Sequence, residues 1–359
     1  MSDKEKSGRI PLTAEKVTAE KTTFTLADLL SMEVDEVPRL FYPIFVKSGI
    51  AVLVGGSDTG KSSLLRQMAM CVATGRDFLT WRYNGERHRA IYLSSEDDAT
   101  ITAAVVKKYN KTMQLPDSAK TNLRFRFDLN SDNVIEGLEQ MLSEQAADLI
   151  VIDALADFFN GRNLNDNKEV RNFYAPFKEI AKKHNCLIIF NHHTGKRTSA
   201  YTPDKDNSLG SQAIEAAPRL AIELRADPHN PDIKHFCAVK GNYLPTEHKT
   251  KSFALRMDDN LVFSPTGERT DFAELAKRPN EKRKTAPTDF AAQEHRDFLK
   301  STFDGGQFNQ TQLRSAIMQE FEISGKTADK FITYYLHEKW VCEVGKGARG
   351  AIVYESRAI

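Results

Sequence analysis

The sequence predicts an α/β fold: a mostly parallel sheet covered by helices on both faces, followed by a small C-terminal domain. Three observations predict it. Short apolar runs alternate with amphipathic helical segments between residues 50 and 240, the pattern of strands buried on both faces. Composition then changes: Pro265, Gly267, Pro279 and Pro287 punctuate the basic run Lys277, Arg278, Lys282, Arg283, Lys284, as in a linker. Finally, 359 residues accommodate two domains at roughly 100–200 residues each.

The elements follow in order. Residues 1–22 are rich in Lys, Glu, Ser and Thr without apolar periodicity and read as a disordered tail. Thr25 is positioned to cap a short helix. Residues 23–264 form the main domain. Ile50-Ala51-Val52-Leu53-Val54 is its first clear strand, and residues 61–73 a helix. Strands over 90–94, 123–127, 149–152 and 186–190 alternate with helices over 97–109, 133–145 and 170–184, and later strands cover 220–224 and 235–239. In such sheets ligands sit beyond the carboxyl ends of the strands. Residues 265–287 are the linker. Residues 288–359 read as helices over 290–303, 311–321 and 324–338, the second capped near Asn309 or Thr311 and the third by Ser324, then strands over 340–344 and 351–354.

Bulk composition excludes more than it selects. Lys and Arg number 50 against 49 Asp and Glu, so any nucleic-acid surface must be a local patch. Cys71, Cys186, Cys237 and Cys342 lie far apart without a Cys-x-x-Cys pair, which argues against zinc and suits a reducing compartment. The polar N-terminus lacks an apolar signal core, and no apolar run approaches the ~18 residues of a membrane span. A cytoplasmic protein with no membrane partner is expected.

The sharpest motif is Gly55-Gly56-Ser57-Asp58-Thr59-Gly60-Lys61-Ser62, followed by Ser63. It meets the spacing G-x-x-x-x-G-K-[ST] between an apolar strand and a helix, the context a phosphate cradle requires. Glycines let backbone N–H groups turn onto a phosphate, and the helix N-terminus adds its dipole. Lys61 can reach the β- and γ-phosphates of ATP, and the Ser62 hydroxyl can ligate Mg²⁺. Asp153 ends the strand over 149–152, where a carboxylate can hold Mg²⁺ through water. Ser94-Ser95-Glu96-Asp97-Asp98 follows another strand. Glu96 is the candidate general base, with Asp97 or Asp98 capping the next helix. Asn191-His192-His193-Thr194-Gly195-Lys196 follows Phe190, and His192 or His193 can sense the γ-phosphate. Adjacent histidines on extended chain point opposite ways, which argues against a shared metal.

This ordered set resembles the RecA-like hexameric ATPases of the RepA helicase type over residues 25–264. The residues carrying the likeness are the cradle, Ser94 to Asp97, Asp153 with Asp157 and Asn165-Asp166-Asn167, His192 to Lys196, Ser208-Leu209-Gly210-Ser211 with Arg219, and Lys240-Gly241-Asn242-Tyr243. The resemblance implies a RecA-like P-loop core, a homo-oligomeric ring, and nucleotide at subunit interfaces completed by Arg219 and Lys240 of a neighbour. Many ring helicases carry an arginine two residues after that lysine; Asn242 stands there in this chain, which shifts weight to Arg219. It also implies that the loop after His193, with Lys196, Arg197, Tyr201 and Lys205, lines a channel for single-stranded DNA, a use suited to basic residues interleaved with an aromatic.

The C-terminal region resembles a winged helix: three helices, then a hairpin around Gly345-Lys346-Gly347-Ala348-Arg349-Gly350. Lys326, Lys330, Lys346 and Arg349 would contact duplex DNA; protein contact is the alternative, because acidic residues balance the basic ones. An ATP-hydrolysing DNA motor is the leading expectation. An ATP-controlled DNA-binding switch that unwinds nothing is the rival. A small-molecule kinase leaves the C-terminal region unexplained.

Overall fold

The computed structural model describes residues 23–159, 163–195, 198–208, 213–276, 286–303, 306–321, 323–346 and 351–357. The chain divides into two compact units, Met1–Val37 and Pro38–Ile359. In the first, the described part holds a short helix, α1 (Leu26–Leu30), capped by Thr25. The Asp28 N–H donates to the Thr25 hydroxyl at 3.2 Å, and the Thr25 N–H donates to the Asp28 carboxylate at 2.8 Å, a reciprocal capping box. The tail expected over residues 1–22 lies outside the described residues.

The second unit is built on β3 (Gly49–Gly55), β5 (Ala90–Ser94), β6 (Leu123–Arg126), β7 (Leu149–Asp153), β8 (Leu187–His193) and β9 (Leu220–Ala226). These six run parallel in the order β9-β3-β8-β7-β5-β6. An antiparallel extension follows on β9: β10 (Ile233–Gly241), β11 (Phe253–Met257) and β12 (Phe263–Pro265). The crossovers carry α2 (Lys61–Thr74), α3 (Ala99–Met113), α4 (Val134–Glu144), α5 (Leu155–Phe158), α6 (Asn167–His184) and α7 (Ala213–Ala216).

The continuous apolar strands make two cores because successive residues face opposite ways. Ala51, Leu53, Val151 and Ile189 pack with Leu64, Leu65 and Met68 of α2. Ile50, Val52, Val54, Ile150 and Ile188 pack with Leu138 of α4 and Tyr174 and Phe177 of α6. A small sheet of β1 (Arg39–Tyr42), β2 (Phe45–Val46) and β4 (Arg82–Tyr83) contributes Phe41 and Phe45 to the first core, beside Phe78 and Trp81.

Several boundaries differ from the sequence reading. The helix expected from residue 97 begins at Ala99, because Asp98 is its N-cap and accepts from the Thr100 and Ile101 N–H groups, each at 2.8 Å. Asp166 caps α6, which therefore starts three residues ahead of Val170. Strand β8 continues past Phe190 through Asn191, His192 and His193, so these polar residues belong to the sheet. The linker expected over 265–287 is corrected in its first half. The Thr266 N–H bonds the Ala254 carbonyl at 3.0 Å, and Phe272 and Leu275 close a small cluster on Cys237. The basic run 277–284 lies outside the described residues.

Beyond it stand α8 (Ala292–Phe303), β13 (Gln307–Asn309), α9 (Gln310–Phe321), α10 (Gly325–His337), β14 (Val341–Lys346) and β15 (Ile352–Ser356). Strand β13 was not expected; it pairs with β15, which pairs with β14, all antiparallel. Phe298, Leu313, Phe331, Tyr335 and Tyr354 fill a core of their own. Asn309 and Gln312 exchange backbone-to-side-chain bonds at the start of α9, and Ser324 caps α10. No helix of the described residues is long and apolar enough to cross a membrane.

Candidate functional site

The cradle joins β3 to α2. Gly60 takes φ +86°, and no side chain caps α2 there, so the first-turn N–H groups are left for a ligand. A Cβ on Gly60 would stand 2.8 Å from the Phe263 ring, and one on Gly55 would stand 2.4 Å from the Leu224 carbonyl oxygen. Both positions therefore require glycine. Lys61 is 6% exposed and donates to the Gly56 carbonyl at 2.8 Å. Burial lowers its pKa, opposed by the charges of Asp153, Glu96 and Asp58.

The acidic side of the site comes from the ends of β5 and β7, where Ser94 and Asp153 stand in register. Asp153 is 2% exposed. Its Oδ2 accepts from the Tyr92 hydroxyl and its Oδ1 from Asn191 Nδ2. The same Asn191 nitrogen lies 3.2 Å from Ser62 Oγ, which brings the two candidate metal ligands to either side of one amide. Asn191 Oδ1 is buried without a hydrogen-bond partner among the described residues. The Ser95 N–H donates to the Asp153 carbonyl at 2.8 Å, and Ser95 Oγ lies 2.6 Å from Asp157 Oδ2. These contacts tie the Glu96 loop to β7.

Three neighbouring acids divide the work. Asp98 caps α3. Asp97 accepts from Arg66 Nη2 at 2.5 Å. Glu96 is exposed by area, yet protein atoms crowd its carboxyl and, with Asp153, Asp157 and Asp97, hold its pKa above the usual range against the pull of Lys61.

The two histidines are separated by strand alternation. His193 shares a face with Asn191, toward the cradle, opposite Gly55 in register. Burial and the Lys61 charge lower its pKa, against Asp153 and Asp157, which favours the neutral imidazole near pH 7. His192 faces the other way, in register with Val54, and is 1% exposed.

Arg219 and Lys240 stand at the far end of the sheet. The Arg219 N–H donates to the Ile50 carbonyl, five residues before Gly55, so roughly 17 Å of strand at ~3.3 Å per residue separates Arg219 from the cradle. Arg219 is exposed, and its Nη1 donates to the Tyr243 hydroxyl at 2.9 Å. Lys240 donates to the carbonyls of Ala216 and Pro218 at 2.7 and 2.9 Å. The structure thus brings Lys61, Ser62, Asp153, Glu96 and His193 together, and does not bring Arg219 or Lys240 to them within one chain.

Of the DNA-binding candidates, Lys205 is exposed and pairs with Asp206 at 2.8 Å. Lys326 and Lys330 are exposed on α10, and Lys346 is exposed at the end of β14. Lys196, Arg197 and Arg349 lie outside the described residues. Sequence reasoning missed Tyr92 and Phe263, which read as ordinary core aromatics. In the sequence Asn191 reads only as part of the motif that runs to Lys196; a polar residue closing an apolar strand is the signal available there.

The site fits a magnesium-bound triphosphate. It offers a buried lysine beside an uncapped helix start, two close approaches that a Cβ would fill, and a buried carboxylate and hydroxyl flanking an amide with an unpartnered oxygen. Fold and site together define a P-loop ATPase domain on a mostly parallel sheet. The comparisons then place it: residues 14–199 match the model of the family described as AAA domain, and the chain belongs to that family. No curated protein matches it. Among solved structures, it is similar to a KaiC-like protein of the hyperthermophilic archaeon Pyrococcus horikoshii at 15% identity and a TM-score of 0.46, over 63% of this chain and 93% of that one.

Proposed function

We propose that this protein is an ATP-hydrolysing, ring-forming motor acting on DNA, of the RepA helicase type. The observation that carries the reading is the meeting of Lys61, the uncapped start of α2, Asp153 and Glu96 at one end of the sheet, with Arg219 at the other. A cation that stabilises a transferring phosphoryl group must reach it. Arg219 and Lys240 are kept from their own cradle by the length of the sheet, so they would serve the cradle of a second copy, as in a closed ring, with six copies on the RepA pattern.

Within one subunit the roles follow from placement. Backbone N–H groups of the cradle, from Gly55 to Ser63, and the Lys61 ammonium hold the triphosphate. Ser62 and Asp153 would hold Mg²⁺, which neutralises phosphate charge when bound. Glu96 accepts the proton of the attacking water. His193, on the cradle face, reads the γ-phosphate and leads directly into the loop that carries Lys196, Arg197 and Lys205; there single-stranded DNA would bind through phosphate contact and stacking.

A second reading, an ATP-controlled DNA-binding switch, is favoured by the C-terminal region from α8 to β15. Its order of helix, strand, two helices and hairpin supports a winged helix, with Lys326 and Lys330 one turn apart on α10 and Lys346 on the hairpin. Duplex DNA is the partner that arrangement suits. Strand separation on a forked duplex discriminates the two: a motor unwinds, a switch only binds.

The founding test is Lys61→Ala. ATP turnover is expected to vanish, and a variant that hydrolysed ATP at the normal rate would end the assignment. Native mass measurement with an ATP analogue and single-stranded DNA tests the ring. A strict monomer under all conditions would remove the roles given to Arg219 and Lys240.

A further inference from the structure

Tyr92 has no part in the scheme above, and its surroundings give it one. It lies in the middle of β5, fully buried, where sequence alone reads a core aromatic. Its ring packs on Phe125 at 5.5 Å, but its hydroxyl does not end in the hydrocarbon. It donates to Oδ2 of Asp153, the acid at the end of the adjacent strand. The Arg66 guanidinium lies over the ring, 5.5 Å from its centroid, and the same guanidinium grips Asp97, next to Glu96.

A buried carboxylate has about four lone-pair sites. In Asp153, Tyr92 occupies one on Oδ2 and Asn191 one on Oδ1. With both oxygens pinned, the carboxylate plane cannot rotate, and the remaining lone pairs keep a fixed direction. Outer-shell donors of this kind orient metal ligands, and their loss typically costs 10–100-fold in metal affinity. We infer that Tyr92 is a positioning residue: its hydroxyl fixes the Asp153 carboxylate in the orientation that receives the divalent cation accompanying the nucleotide, while Arg66 above its ring holds the Glu96 loop to the same strand. This rests on the ATPase reading and adds to it a residue that touches neither nucleotide nor water.

The test is Tyr92→Phe, which removes one oxygen and keeps the ring. Binding of a fluorescent ATP analogue is titrated against Mg²⁺, and separately in EDTA, on wild type and variant, with a thermal melt of each. The expected result is a roughly tenfold rise in the Mg²⁺ concentration needed for half-maximal tight binding, with affinity in EDTA unchanged. An unchanged Mg²⁺ requirement overturns the inference. So does an equal loss of affinity with Mg²⁺ and in EDTA, or a variant that no longer melts cooperatively, because either marks Tyr92 as a packing residue. A wild type that binds no nucleotide overturns the ATPase reading itself, a separable failure.

Discussion

Two acids are buried to the same depth in this sheet, Asp153 and Glu223, each 2% exposed, and they are treated in opposite ways. Glu223 stands on β9, in register with Val54. Its Oε1 takes Arg225 Nε at 2.8 Å and Nη2 at 2.6 Å, and its Oε2 takes Asn207 Nδ2 at 2.9 Å. Arg225 spends its remaining donors on the carbonyls of Thr198, Tyr201 and Leu275. That cluster is closed: charge meets counter-charge, and the pair clamps the segment after β8 to the sheet. Asp153 receives only neutral donors, Tyr92 and Asn191, and forms no salt bridge among the described residues. A buried charge without a contact counter-ion is unfavourable unless something else supplies one. The difference is one of contact: Glu223 has a counter-ion bonded to it inside the chain, whereas Asp153, the acid to which the proposed function gives the metal, is oriented by neutral donors and has no contact counter-ion among the described residues.

The largest expected effects test that contrast directly. Glu223→Ala leaves Arg225 buried without its partner, which costs about 3–5 kcal/mol of stability, read as a lowered midpoint in urea. Asp153→Asn removes a charge that had no contact counter-ion, but it also turns one oxygen that accepts from Tyr92 or Asn191 into a donor, so the loss of stability should stay within about 1–3 kcal/mol, below that of Glu223→Ala. Turnover should fall on the order of 10³-fold, since a bound cation supplies several kcal/mol of charge stabilisation to such reactions. If Asp153→Asn destabilised the fold as much as Glu223→Ala, the distinction would collapse.

A smaller effect sharpens the contrast at the cradle. Gly60→Ala puts a methyl 2.8 Å from the Phe263 ring at φ +86°. Left-handed backbone costs a non-glycine residue about 1–2 kcal/mol, so nucleotide affinity should drop roughly tenfold or more. Adding Phe263→Leu should recover the part due to the clash and none of the part due to φ. Full recovery would show that backbone conformation is not what the glycine supplies.

Much of this was legible in the sequence because the parallel strands are nearly pure apolar runs and the cradle has a fixed spacing. Ala90-Ile91-Tyr92-Leu93-Ser94 and Leu149-Ile150-Val151-Ile152-Asp153 admit little besides a two-sided strand. The hairpin of β11 and β12 was not legible: Phe263-Ser264-Pro265 is short, half polar and ends in proline. It forms because Gln67 of α2 exchanges two bonds with the Phe263 backbone, at 2.7 and 2.8 Å, a contact across 196 residues that local pattern cannot encode. The same limit hid Tyr92, whose hydroxyl meets an acid 61 residues away. The choice between His192 and His193 was open in sequence and is narrowed by register alone, since only His193 lies on the Asn191 face.

The smallest expected effect is one of pH, and it concerns the third acid of the site. Glu96 is neither matched like Glu223 nor pinned like Asp153; among the described residues it has no hydrogen-bond partner, and its pKa is held above the usual range by crowding and by Asp153, Asp157 and Asp97. A general base works only when ionised. As pH falls, a raised pKa is crossed earlier than an ordinary glutamate would be, so kcat should begin to decline at a pH above the usual carboxylate range. Substituting Asp157→Asn removes one of the raising charges and should move that acidic limb to lower pH, with stability little changed. Glu96→Gln should remove the limb along with most of the turnover. A limb that stayed in place in Asp157→Asn would mean that neighbouring charge does not set the Glu96 proton affinity, and that the open placement of this acid, unlike the buried placement of the other two, is not tuned by the residues around it.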